Sequence, residues 1–126
     1  MAIAPGLRAA FDHIVAEPDT AVALGSGDVP VLGTPRVLAL AEQATVAALA
    51  GALDPGTTSV GTRVELDHLA ASPVGAAVRV SAELERVQGR RLEFAVEVRD
   101  GERLAARGRV TRVLVDRDAF LDAAGR

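Results

Sequence analysis

Three polar side chains stand where the surrounding pattern is apolar, and their types suit acid–base chemistry. Glu42 interrupts a long apolar run from Val37 to Leu53. A carboxylate in such surroundings must be paired, hydrogen-bonded or raised in pKa. The other reading is that Glu42 shares an outward polar stripe with Gln43. His68, one of two histidines, occupies the apolar phase of an alternating segment. An imidazole there is either a proton shuttle, since its ordinary pKa lies near neutrality, or a satisfied core or interface residue. The second histidine, His13, lies in a short N-terminal strand with no acidic companion nearby and reads as incidental. Thr34 precedes Pro35 at a strong helix start, so its hydroxyl is expected to cap the helix. The same helix end presents unpaired N–H groups that suit a developing oxyanion. Thr34 and Glu42 are eight residues apart, about two turns, so they face one cleft only approximately.

The elements that must carry these residues follow from periodicity and turn chemistry. Phe11 to Ala16 and Thr20 to Leu24 read as short extended segments divided by Glu17-Pro18-Asp19, and Gly25-Ser26-Gly27-Asp28 as a loop. A helix is expected from Pro35 to about Leu53, stopping at Asp54-Pro55-Gly56. Apolar residues lie nearly all round it, as expected of a helix wrapped by other structure. The period then changes to two. Thr62, Val64, Leu66 and His68 share one face; so do Val78, Val80, Ala82 and Leu84, then Leu92, Phe94, Val96 and Val98. A fourth strand, about Leu104 to Val115, slips phase near Thr111, which suggests a bulge. The joints are Ser72-Pro73-Val74-Gly75, Gln88-Gly89 and Asp100-Gly101, the last a strong hairpin signal. Asp118 to Ala124 reads as a frayed tail.

Composition narrows the function classes. The 126 residues, 49% of them hydrophobic, suit one domain over residues 1–126. With no cysteine, thiol catalysis, thiolate metal sites and a disulfide framework are excluded. A net charge of −3 and three aromatic residues, all Phe, argue against nucleic-acid binding. No apolar stretch is long enough to span a bilayer comfortably, and Met1 to Leu7 is too short for a signal peptide, so a cytoplasmic protein is expected. All fourteen basic residues are Arg, a bias that a GC-rich genome would produce without any ligand.

Short strands, one long buried helix and an antiparallel meander with one apolar face make an α+β architecture. A sheet curled around a single central helix is the hotdog fold. One helix leaves sheet edges open, and pairing across a two-fold axis is the usual remedy, so a homodimer is expected.

Within that fold, the stretch from Thr34 to about Val115 resembles the fluoroacetyl-CoA thioesterase family. The resemblance rests on the spacings Thr34 to Glu42 and Glu42 to His68, on Gly61-Thr62, and on Ala70-Ala71 after His68. It is strengthened by Pro73-x-Gly75 and by Ala82-Glu83-Leu84 followed by Val87-x-Gly89-Arg90-Arg91-Leu92. It implies that Thr34, Glu42 and His68 form a catalytic set for hydrolysing a small acyl-CoA. Glu42 would activate water or attack the carbonyl, His68 would move the proton, and Thr34 would hydrogen-bond Glu42 or the reacting oxygen. Backbone N–H groups near Gly61 would complete an oxyanion site. No metal or separate cofactor is implied, since coenzyme A enters as part of the substrate.

Arg90 and Arg91, at a turn, either meet the CoA phosphates or form a solvated hairpin tip. In the specialised family enzyme a longer segment before the threonine carries a phenylalanine-bearing lid that recognises fluorine. Here Leu24 to Gly33 is short, Gly-rich and without Phe. The competing class is a non-catalytic hotdog module that binds an acyl-CoA or a small lipophilic ligand. A hotdog hydratase is disfavoured, because no Asp and His have the spacing that group uses.

Overall fold

The computed structural model describes residues 3–125. Five antiparallel strands, β1 (Arg8–Ile14), β2 (Thr57–His68), β3 (Ala77–Gln88), β4 (Arg91–Asp100) and β5 (Arg103–Asp116), form one sheet in the order β1-β3-β4-β5-β2. Three helices accompany it: α1 (Ala21–Leu24), α2 (Thr34–Ala48) and α3 (Arg117–Ala124). The inner face of the sheet closes on α2, mainly over β1 and β3, which is the hotdog arrangement the patterning predicts.

The alternation of apolar residues decides which face is buried. Val78, Val80, Ala82 and Leu84 of β3, with Leu92, Phe94, Val96 and Val98 of β4, are at most 3% exposed. Against them α2 turns Val37, Leu40, Ala41 and Ala44, all fully buried. The alanines let the helix axis approach the sheet closely. Each large side chain so buried contributes about 1.5–3 kcal/mol, and Phe94, Leu40, Leu84 and Leu92 are the centre of that core.

Several expectations are corrected. Thr20 to Leu24 is not a strand: only Thr20 bridges to Leu32, and its Oγ1 then accepts the Ala23 N–H at 3.2 Å, capping α1. The central helix ends at Ala48 rather than near Leu53, because Leu49 takes the C-cap and Gly51 reverses the chain at φ +81°. Asp118 to Ala124 belongs to α3, whose start is fixed by Asp116 Oδ1 accepting the Ala119 N–H at 2.9 Å. The bulge expected near Thr111 lies across the ladder from it: Gly61 pairs with Arg112 and Arg63 with Thr111, so the extra residue is Thr62 of β2. Finally, α2 is covered on one side only. Val46 remains 52% exposed, and the flank carrying Thr34, Leu38 and Glu42 runs along the edge strand β2. No helix among the described residues is long and apolar enough to cross a membrane.

Candidate active site

Thr34 is the first residue of α2, and the residue before it, Gly33, is the N-cap. Gly33 fits closely there: a Cβ would come within 3.1 Å of the Ala21 backbone and the Leu24 side chain, which would have to give by a few tenths of an ångström. The Thr34 hydroxyl therefore does not cap the helix, contrary to expectation. It lies exposed and meets His68 instead, with Oγ1 2.8 Å from Nδ1; the direction of that bond follows the tautomer of the ring. Of the first-turn donors, Pro35 has no N–H, and Arg36 and Val37 both bond the Gly33 carbonyl at 3.0 Å. The N–H of Thr34 is what remains for an incoming oxygen.

His68 closes β2. Its ring is partly buried by this chain, and burial pushes its pKa below the usual 6.5, an effect the Ala70 backbone partly offsets. The ring is thus neutral at pH 7. Its second nitrogen, Nε2, is buried without a well-formed hydrogen bond. A neutral imidazole with one nitrogen on an exposed hydroxyl can take up that hydroxyl's proton, the arrangement of an activated nucleophile or a proton relay.

Glu42 lies two turns further along α2, about 12 Å in rise, and does not join that pair within one chain. Its carboxylate, 33% exposed, bonds Arg112 Nη1 through Oε2 at 3.3 Å. It also rests on Gly61, where an added Cβ would overlap Oε2. The structure thus sets Glu42 against Gly61 at one end of β2 and Thr34 against His68 at the other, two pairings that the spacing did not specify. Of the two partners the resemblance allowed Thr34, Glu42 and the reacting oxygen, Glu42 is not in contact with it within one chain.

Arg112 was not foreseen. It occupies the inward phase of β5 with Val110 and Leu114, where its side chain is 8% exposed. Its Nε donates to Ser59 Oγ at 2.8 Å and its Nη2 to the Ser59 carbonyl at 3.0 Å. Burial pulls the guanidinium below its ordinary pKa, and the facing Glu42 carboxylate opposes that shift. A guanidinium keeps its charge nonetheless. A charged residue in an apolar phase is the same signal that singled out His68, and it would have found Arg112.

Two further placements differ from the sequence reading. His13 does have an acidic companion: the Glu17–Asp19 turn folds Asp19 back under β1, and its Oδ2 lies 2.8 Å from His13 Nε2. Arg90 sits at the exposed tip of the β3–β4 hairpin and has no ionic partner among the described residues. Arg91 pairs with Glu93 at 3.4 Å. In register, Arg91 faces Val113, which faces Val60 beside Gly61, so the tip stands about 10 Å across the sheet from the Glu42 end. Arg91 is on the outer face, opposite α2, since Leu92 points inward.

Residues 15–118 match the fluoroacetyl-CoA-specific thioesterase family. The fluoroacetyl-CoA thioesterase of Streptantibioticus cattleyicolor is 39% identical over 90 residues, which are 71% of this chain and 65% of that protein. The aligned part is thus just under two thirds of that relative's length. The solved structure of the fluoroacetyl-CoA thioesterase FlK superposes with a TM-score of 0.92 at 32% identity, covering 98% of this chain and 96% of that one. A hot-dog-like protein of Thermanaerovibrio acidaminovorans superposes at 0.88 with 25% identity, covering 95% and 89%. The family match over most of the chain and the superposition over nearly all of it agree with the site geometry: the chain belongs to the fluoroacetyl-CoA-specific thioesterase family.

Proposed function

We propose that the protein is a cytoplasmic, homodimeric acyl-CoA thioesterase that hydrolyses a short acyl-CoA to the free acid and CoA. The observation that carries this is the 2.8 Å contact between the exposed Thr34 hydroxyl and the neutral imidazole of His68. Family membership supplies the reaction class, and one relative structure is described with fluoroacetate and CoA bound.

The dimer follows from what one chain leaves open. The outer edge of β2 has no partner strand, and Thr34, Glu42, Gly61 and His68 all lie along it. Gly61 and His68 are symmetric about the middle of Val64-Glu65. A second copy pairing β2 antiparallel about that point would bring the Glu42 end of one chain to the Thr34–His68 end of the other.

In that arrangement Glu42, held by Arg112 and Gly61, takes a proton from water as the hydroxide oxygen adds to the thioester carbonyl. Thr34 stabilises the oxyanion. The C–S bond then breaks, the thiolate collects a proton through the Thr34–His68 pair, and the proton on Glu42 restores the pair. Arg90, the unpaired cation at the hairpin tip, is assigned to the CoA phosphates, with Arg91 in a supporting position.

A second reading, a non-catalytic acyl-CoA-binding module, is favoured by the Glu42–Arg112 pair, which engages the carboxylate away from His68 within one chain. Free-thiol release from a panel of acyl-CoAs separates the two. Glu42→Gln and His68→Ala should each lower turnover by about 10²–10⁴-fold while the protein stays folded. Turnover by wild type with both variants at full rate would remove the site from consideration.

A further inference from the structure

The proposed chemistry makes no use of the polar cluster beside the start of α2, whose centre is Asp19. Its side chain is 9% exposed. Oδ2 accepts the Ala16 N–H at 2.8 Å and lies 2.8 Å from His13 Nε2, and Oδ1 accepts Arg36 Nε–H at 2.8 Å. The backbone carbonyl of Asp19 accepts the Gly33 N–H at 2.9 Å. Two of these bonds flank Thr34. One holds the residue before it, and the other holds the residue two places after it.

That placement matters because Thr34 has an exposed side chain with no packing of its own to fix it. The segment leading into it, Gly25 to Gly33, is glycine-rich and largely exposed. Where the hydroxyl sits depends on the backbone to either side.

We propose that Asp19 is a positioning residue for the reaction: by fastening Gly33 and Arg36 together, it sets the Thr34 hydroxyl on Nδ1 of His68. The inference rests on the Thr34–His68 reading above. His13 and Ala16 serve as the anchor, tying Asp19 to β1 and to the turn after it, so the start of α2 is referenced to the sheet through one residue, by its carbonyl at Gly33 and its carboxylate at Arg36.

The test is a double-mutant cycle on acetyl-CoA hydrolysis with Asp19→Asn, Thr34→Ala and the pair. Asn keeps the size of the side chain and one acceptor oxygen but removes the charge. Asp19→Asn should lower kcat about ten- to a hundredfold, as small misplacements of catalytic groups do, with KM changed by less than about threefold. In the Thr34→Ala background it should cost less than about twofold more. The ¹⁵N resonance of His68 Nδ1 should move in Asp19→Asn, which a purely structural role does not require.

Asp12→Asn, which removes only an exposed ion pair from β1 to Arg79 of the neighbouring β3, should leave kcat at the wild-type value. Should Asp19→Asn fail to fold, Arg36→Gln removes one arm of the cluster from a side chain 31% exposed, and the same cycle applies. Wild-type kcat in Asp19→Asn beside an impaired Thr34→Ala would overturn the positioning role alone, as would fully additive losses in the pair. An unimpaired Thr34→Ala would instead overturn the Thr34–His68 reading, and this inference with it.

Discussion

Gly61 of β2 lies so close to Glu42 of α2 that a single methyl group on its Cα would overlap the Glu42 carboxylate. The glycine is not there for its backbone, whose φ is not positive. It leaves room for one oxygen atom. Gly61→Ala should therefore separate stability from activity. The overlapping atom is the end of a flexible side chain, so the carboxylate can swing aside at little cost to the fold. The melting temperature should fall by no more than about 4 °C, where the shifts that a 1 kcal/mol change gives in smaller and in larger domains meet. Turnover should fall at least about tenfold, because a displaced carboxylate no longer faces the attacking water. A Gly61→Ala protein with unchanged kcat would show that the position of Glu42 does not matter to catalysis.

The pairing of Thr34 with His68 has a consequence for pH. Burial holds the His68 imidazole below its usual 6.5, only partly countered by the Ala70 backbone. The neutral ring is the form that can take up the proton returned from Glu42 as the thiolate collects one, so activity should be present above the folded pKa and fail below it. The acid limb of kcat/KM should have its midpoint below pH 6.5, and His68→Ala should abolish that limb. The stability sign agrees. The unfolded chain binds the His68 proton more readily, so this group destabilises the fold as pH falls below about 6.5. A midpoint at or above 6.5 would assign the limb to another group.

The fold was legible because its signals were local. Alternation fixed the inward faces of β3 and β4, and Thr34-Pro35 marked the start of α2 to within a residue. The hairpin at Asp100-Gly101 also falls where expected, with Gly101 at φ +63°. Non-local facts were out of reach. That Thr34 would reach His68 instead of capping depends on Gly33 fitting against α1. That Asp19 would find His13 depends on a 3₁₀ turn that Glu17-Pro18-Asp19 only hinted at. Arg112 is the instructive miss: the break in alternation near Thr111 lies one residue before it and masks its inward phase. Pattern and spacing singled out Glu42 and His68 as a set, and could not say that within one chain they would lie at opposite ends of β2.

Asp19 gives the structure a stability signature that does not depend on catalysis. Burial alone would raise its pKa. Hydrogen bonds from Ala16, His13 and Arg36 outweigh that and hold it at about 2 instead of 3.8. The group's folded pKa is depressed, so its contribution is complete above 3.8 and is lost as pH falls through about 2. The difference corresponds to about 2 kcal/mol. Denaturation of wild type and Asp19→Asn should differ by roughly that amount at pH 7 and converge between about pH 4 and pH 2. Parallel stability curves across that window would mean that the carboxylate is not held as its three partners indicate.

The segment before Thr34 bears on the acyl group. Between α1 and α2 the chain runs through Gly25, Ser26, Gly27, Asp28, Val29, Pro30 and Val31, with no Phe or other aromatic residue. Leu24 and Val29 are 42% and 50% exposed, while Leu32 is turned into the core at 1%, so none of these three forms a closed apolar cover over Thr34. Fluorine differs from hydrogen by little volume, and a pocket discriminates so small a change only through close, fixed contacts. An exposed glycine-rich loop supplies none. Fluoroacetyl-CoA and acetyl-CoA should therefore be hydrolysed with kcat/KM values within about tenfold of each other, apart from the greater intrinsic reactivity of the fluorinated thioester. Measuring both, together with their rates of hydrolysis by hydroxide, isolates the enzyme's own preference. A corrected preference of several hundredfold for the fluorinated substrate would show that recognition is built from residues outside Leu24 to Gly33, and that the missing aromatic is no guide to specificity.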